Sequence, residues 1–182
     1  MRRFLASLFT FVLFSSILLA QQEDKSKRPS PPGTAEITIA GKKITINYSR
    51  PKIKDPKTGA VRKIYGGLVP YGEVWRTGAN EATELITEAD LSIGGVSVPK
   101  GTYTLFTIPG EKGWMLIINK QTGQWGRDYD VKQDLARVDM KTEPIEIPIE
   151  QFTISFMEKG KDGATLRLDW EKTRAWVEFT AK

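Results

Sequence analysis

From Thr34 onward, apolar residues recur at every second position rather than every third or fourth, which is the period of a half-buried strand. Ile37 and Ile39 alternate with polar neighbours, and Ile44, Ile46 and Tyr48 do so again beyond Gly41-Lys42. A two-residue turn at Gly41-Lys42 predicts a hairpin with Ile39 opposite Ile44 and Ile37 opposite Ile46. A second hairpin at Gly94-Gly95 sets Ile93 against Val96 and Leu91 against Val98. A third, turning at Glu171-Lys172, sets Leu168 against Ala175, Leu166 against Val177 and Ala164 against Phe179. On its other face Arg167 falls opposite Trp176, a cation–π pairing. In each hairpin the opposed residues share an apolar face, so the registers are self-consistent.

Further strands are expected at Thr102–Ile108, at Trp114–Asn119, and at Ile145–Ile149 running into Phe152–Phe156. Trp114 to Ile118 is apolar without alternation, as a central strand covered on both faces would be. The best place for a turn of helix is Gln133–Met140. Many short strands punctuated by Gly and Pro predict an all-β fold: a single antiparallel two-sheet β-sandwich, jelly-roll or immunoglobulin-like, with little helix.

The ends of the chain divide the 182 residues further. Arg2 and Arg3 precede an apolar run from Leu5 to Leu19, and Ala20 then meets the polar Gln21-Gln22. A basic start, a short apolar stretch and a small residue at the cut describe an export signal, cleaved after Ala20. The run is shorter than the roughly 20 apolar residues of a membrane span, so no span is expected after cleavage. Residues 21–33 are polar and carry Pro29, Pro31 and Pro32, which reads as a disordered tether. Residues 34–182 then form one β-sandwich domain, periplasmic or secreted, large enough for a full core.

The chain has no Cys and no His. Ser-His-Asp and Cys-His nucleophiles are therefore excluded, as are ordinary zinc, haem-His and iron–sulfur sites. No cofactor and no metal site is expected. Asp128, Asp130 and Asp134 raise calcium, but Lys132 stands where an alternating loop needs its third ligand. The formal charge of +5 falls to about +3 without the two signal arginines, too weak and scattered for a nucleic-acid partner.

The stretch Leu68-Val69-Pro70-Tyr71-Gly72-Glu73-Val74-Trp75-Arg76-Thr77-Gly78-Ala79-Asn80-Glu81-Ala82-Thr83 resembles the central motif of a bacterial family known as domain of unknown function 2911. Tyr48-Ser49-Arg50-Pro51, the run from Pro99 to Leu105, Asn119-Lys120 and Gln124-Trp125-Gly126 match it too. The resemblance extends from about residue 34 to the end, and Lys54–Gly59 is an insertion against the family's spacing. It implies an exported β-sandwich and no particular activity.

Candidate chemistry therefore rests on loops. Arg76, Asn80 and Glu81 form a polar cluster that could recognise a carboxylate, a phosphate or sugar hydroxyls, with Trp75 or Tyr71 as an apolar face. The architectural alternative pairs Arg76 with Glu81, puts Asn80 in the left-handed conformation and needs Gly78 for its dihedrals. Trp125 and Tyr129 could stack on a sugar ring with Asp and Arg taking its hydroxyls, or Trp125 could plug one end of the sandwich. A small polar molecule or glycan is the expected partner. The alternatives are a hydrolase using two carboxylates from among Glu73, Glu81, Glu84, Asp128 and Asp130, and an envelope scaffold or interaction module without a pocket. A binding role requires the loops at 76–81 and 125–130 to be neighbours.

Overall fold

A computed structural model describes residues 24–182, so the expected export signal lies outside the described residues. The strands are β1 Pro32–Ile39, β2 Lys42–Ser49, β3 Thr83–Thr87, β4 Leu91–Ile93, β5 Val96–Val98, β6 Gly101–Ile108, β7 Trp114–Asn119, β8 Asp134–Lys159 and β9 Gly163–Ala181. The only helical elements among the described residues are two three-residue 3-10 turns, Lys25–Lys27 and Val131–Gln133. All pairings between these strands are antiparallel, and the strands join in the order β1-β2-β3-β6-β7-β8-β9-β4-β5.

The all-β antiparallel class is as expected, but the two layers are leaves of one continuous sheet. Two long strands make this possible. The first part of β8, up to Met140, pairs with β7, and from Lys141 onward it pairs with β9. The pairing slips between Pro144 and Ile149 and again between Ile149 and Thr153, where extra residues bend the strand. The leaves then face each other: Ile44, Ile46, Leu85, Leu105 and Leu116 from one meet Leu91, Ile93, Leu166 and Phe179 from the other. The side where β2 leaves the sheet is stitched to the far half of β8. Tyr48 Oη accepts from Ile154 N at 2.9 Å, Phe152 N donates to Pro51 O, and Ile53 N donates to Glu150 O.

Several expectations are corrected in register. In the first hairpin Ile37 opposes Ile44 and Ile39 opposes Lys42, so the turn is Ala40-Gly41, not Gly41-Lys42. Both residues have positive φ, and this turn puts Gly rather than Lys at its second position. A shift of two residues keeps the same face inward, which is why the apolar pattern could not expose it. The Gly94-Gly95 hairpin forms as expected, with Leu91 against Val98.

Glu171-Lys172 is no turn. The chain continues through it as β9, and Glu171 (φ 54°) marks a bend. The inward residues switch there from Ala164, Leu166 and Leu168 to Ala175, Val177 and Phe179. A two-residue turn and a bulge in a continuing strand shift that parity alike, so alternation fits both. The real turn spans 160–162, between Lys159 and Gly163. Arg167 consequently does not stack on Trp176; Lys141 does, 4.8 Å from the ring centroid, while Arg167 lies against Met157 Sδ. Gln133–Met140 gives no helical turn because Asp134 already starts β8. Trp114–Asn119 is the covered central strand expected, lying between β6 and β8.

The Pro-rich segment before residue 34 has several anchors within its described part. Asp24 caps the first 3-10 turn, Arg28 reaches Glu81, and β1 begins at Pro32 opposite Ser49.

Candidate functional site

The chain leaves the sheet after β2, crosses the end of the two leaves, and returns through residues 75–82 to β3. Trp75 fixes the return. Its backbone exchanges hydrogen bonds with Thr107 of β6, at 2.7 and 2.9 Å. Its ring lies nearly parallel to Trp170, with centroids 5.8 Å apart, and edge-on to Phe152 at 5.0 Å. Tyr65 and Trp114 complete this aromatic cluster. Tyr71, the other aromatic considered as an apolar face, does not line the cleft described below.

Most of the motif that follows is architectural. Thr77 is fully buried with φ 51°; its Oγ1 donates to Thr107 Oγ1, and its carbonyl accepts from Thr83 Oγ1 at 2.9 Å. A Cβ on Gly78 would sit 2.9 Å from Ser49 O, so close approach to β2 demands glycine there. Asn80 is left-handed (φ 58°), and its Nδ2 donates to Ser30 O at 3.0 Å. Glu81 does not pair with Arg76. Arg28 Nη1 donates to both its carboxylate oxygens, at 2.8 and 3.0 Å, and Lys25 Nζ lies 2.9 Å away. Desolvation pushes the Glu81 carboxyl up, but the hydrogen bonds from Arg28 and Lys25 outweigh it and hold it down at about 2.

The two loops are neighbours. Glu81 opposes Trp125 in an isolated bridge, Gly126 N donates to Asn80 O at 3.0 Å, and Ala82 N donates to Gln124 O. Gly126 also packs on the Arg76 stem, where an added Cβ would meet Arg76 Cδ at 2.6 Å. Trp125 does not plug the fold; it is 48% exposed and stands outside the cleft. Tyr129 lies on the cleft wall, edge-on to the buried Phe106 at 4.9 Å, with its hydroxyl donating to Asp134 Oδ2 at 2.7 Å.

That cleft has a volume of about 590 Å³. Its apolar side includes Trp75, Phe106 and Trp170, with the exposed Leu68 and Val74 toward the rim. Its charged lining is Lys52, Lys54, Arg62, Arg76 and Arg127 against the single carboxylate of Glu73. Arg62 is committed elsewhere, to Ile53 O, Lys52 O and Asp55. Lys52, Lys54, Arg76 and Arg127 form no ion pair among the described residues. Arg76 is half-buried, and among the described residues its side chain makes one hydrogen bond, a long 3.4 Å contact from Nε to Gly78 O. Burial first, and the like charge of Arg127 second, push its guanidinium below the ordinary value. Trp170, 1% exposed, has an indole Nε1 without an acceptor among the described residues.

Of the five residues singled out from sequence, Arg76 and Tyr129 line the cleft, whereas Asn80, Glu81 and Trp125 do not. Phe106, Trp170 and the Lys52–Lys54 stretch were missed. Phe106 and Trp170 read only as strand residues, and Lys52 and Lys54 follow the matched Tyr48–Pro51 segment without any pattern of their own. The aspartates weighed for calcium have local duties: Asp130 Oδ1 accepts from Lys132 N, and Asp134 accepts from Asn119, Tyr129 and Arg137. No group of three or more potential metal ligands occurs among the described residues.

Fold and cleft together define an antiparallel all-β protein with a basic, aromatic-floored cleft at one end of its folded sheet. The chain belongs to the family described as protein of unknown function DUF2911, whose model matches residues 30–179. No curated protein and no solved structure matches it. No helix among the described residues is long and apolar enough to cross a membrane.

Proposed function

We propose that this is an exported binding protein that holds a small polar ligand in the cleft beside Arg76, and that it carries out no chemistry on it. The observation carrying this reading is Arg76 itself. Its neighbours Trp75, Thr77, Gly78, Asn80 and Glu81 each have a structural partner, while this half-buried cation has no carboxylate among the described residues. An unpaired, partly desolvated charge is costly to keep in a fold, so its retention in a cleft points to something that binds there. The cleft volume and its mixture of aromatic wall and a few polar groups suit a small molecule.

Hydrolysis by paired carboxylates is less well supported. Glu73 is the one acid on the cleft, and Glu81 is held ionised by Arg28 and Lys25, which unfits it as a proton donor. Export rests on the sequence of residues 1–20. The intact mass of protein recovered from the periplasm or medium tests that part, with Gln21 expected as the first residue.

The binding reading is tested by thermal unfolding against a panel of neutral sugars, short and alkyl-chain acids, and calcium. A ligand at about 100 times its dissociation constant should add roughly 2.7 kcal/mol, a shift of several degrees. The reading expects at least one ligand to give such a shift in wild type and a much smaller one in folded Arg76→Met. A panel without any shift, or a shift that survives the substitution in full, counts against the cleft as the binding site.

A further inference from the structure

We infer that the ligand of this cleft is a small amphiphilic anion, a carboxylate, phosphate or sulfate group carried on a hydrophobic body, and not a neutral sugar. This inference rests on the binding role proposed for the same cleft and specifies its chemistry. Two independent features lead to it. The first is charge: Arg76 and Arg127 act on each other as like charges, and neither has a carboxylate partner among the described residues. Lys52 and Lys54 extend the same sign along the lining, and Glu73 is too little to balance them. In a partly desolvated cleft, one anion between two guanidiniums relieves their repulsion and gains charge-assisted hydrogen bonds. A neutral sugar would leave both unpaired.

The second feature is the wall. Sites that hold a bare inorganic anion are small and polar. Here the exposed Leu68 and Val74 and the half-buried Trp75, backed by the buried Phe106 and Trp170, line a space of about 590 Å³, room for an apolar body behind the anionic head. Phe106 and Trp170 are each 1% exposed, so this wall is set by the core and is preformed.

The test holds the body fixed and varies the head. Purified protein is titrated with decanoate, decyl phosphate, decyl sulfate, decyl glucoside and decyltrimethylammonium below their critical micelle concentrations. Acetate and inorganic phosphate serve as heads without a body, and maltose as a neutral sugar. Calorimetry is read together with tryptophan fluorescence, since Trp75 and Trp170 lie on the wall. At least one decyl anion is expected to bind at least tenfold more tightly than decyl glucoside, maltose, the cation and the bare anions. Arg76→Met and Arg127→Met should each weaken that anion by about 10-fold or more, the loss of one charge-assisted hydrogen bond. Arg76→Lys should fall between, and raising the salt concentration should weaken binding in wild type more than in either variant.

Binding of decyl glucoside or maltose as tight as that of the anions, lost in Arg76→Met, would overturn the anionic assignment and leave the binding role standing. Anion affinity unchanged in both arginine variants would overturn it by locating the site elsewhere. Absence of binding by every probe would remove the assignment and the binding role together.

Discussion

Replacing Arg76 by Met should leave the fold as stable as wild type or make it more stable, by up to about 1 kcal/mol. Three local terms set this value. The hydrogen bond lost is the 3.4 Å contact with Gly78 O, near the limit of useful geometry and worth no more than about 0.5 kcal/mol. The charge removed is half-buried, unpaired and repelled by Arg127, and relief of that arrangement returns about 0.5–1 kcal/mol. The stem that packs against Gly126 is retained, because Met keeps a flexible apolar chain along the same path. Urea unfolding of both proteins measures the difference directly. A midpoint moved upward, or unmoved, with the same slope is the expected result, and a gain of 1 kcal/mol would raise Tm by about 2–4 °C. Arg76→Ala removes the stem too and should lie about 1 kcal/mol below the Met variant. A loss exceeding about 1.5 kcal/mol in Arg76→Met would refute the reasoning, since it would mean that the guanidinium holds the loop together. Stability that rises when a cleft residue is removed, with binding lost, is the signature of a group kept for function.

The remaining predictions concern the groups that hold the loop. The Glu81 carboxyl, ordinarily near 4.5, sits at about 2, so its stabilisation is complete above 4.5 and disappears as pH falls toward 2. Because its side chain is 39% exposed, that contribution is at most about 1 kcal/mol; Glu81→Gln should remove it at pH 7 and flatten the stability profile between those values, as acid titrations followed by circular dichroism would show. Asn80→Gly should be more stable than Asn80→Ala by about 1 kcal/mol, since both lose the bond to Ser30 O but only Ala is strained at φ 58°. Equal losses in thermal unfolding would show that the hydrogen bond alone matters. Trp170→Ala should cost about 3–5 kcal/mol by opening a void beneath Trp75, Tyr65 and Phe152, and chemical denaturation that shows less than 1 kcal/mol would deny the aromatic cluster its structural role.

Much of the fold was legible in the sequence because alternation is a local property. Ile44, Ile46 and Tyr48 of β2, or Leu91 and Ile93 of β4, point inward for reasons each strand carries alone. The Gly94-Gly95 turn was legible too, since two adjacent positive φ values favour such residues. Alternation fixes a face but not a partner. It could not separate a turn at Ala40-Gly41 from one at Gly41-Lys42, nor a hairpin at Glu171 from a bend in a strand serving both leaves.

The candidate site divides along the same line. The sequence by itself determined that chemistry here proceeds without His or Cys, and that the loop around Arg76 is richer than a turn requires. Tertiary structure decided which of those polar groups is free to act. Glu81 is engaged because residues 25 and 28 of the N-terminal segment come within reach, a pairing across 53 residues of chain in the case of Arg28. Arg76 is left unpaired because Arg127, not a carboxylate, is brought beside it when the loops at 76–81 and 125–130 meet. Charges are present in the sequence, but their partners are set by distances in space, and only folding sets those distances.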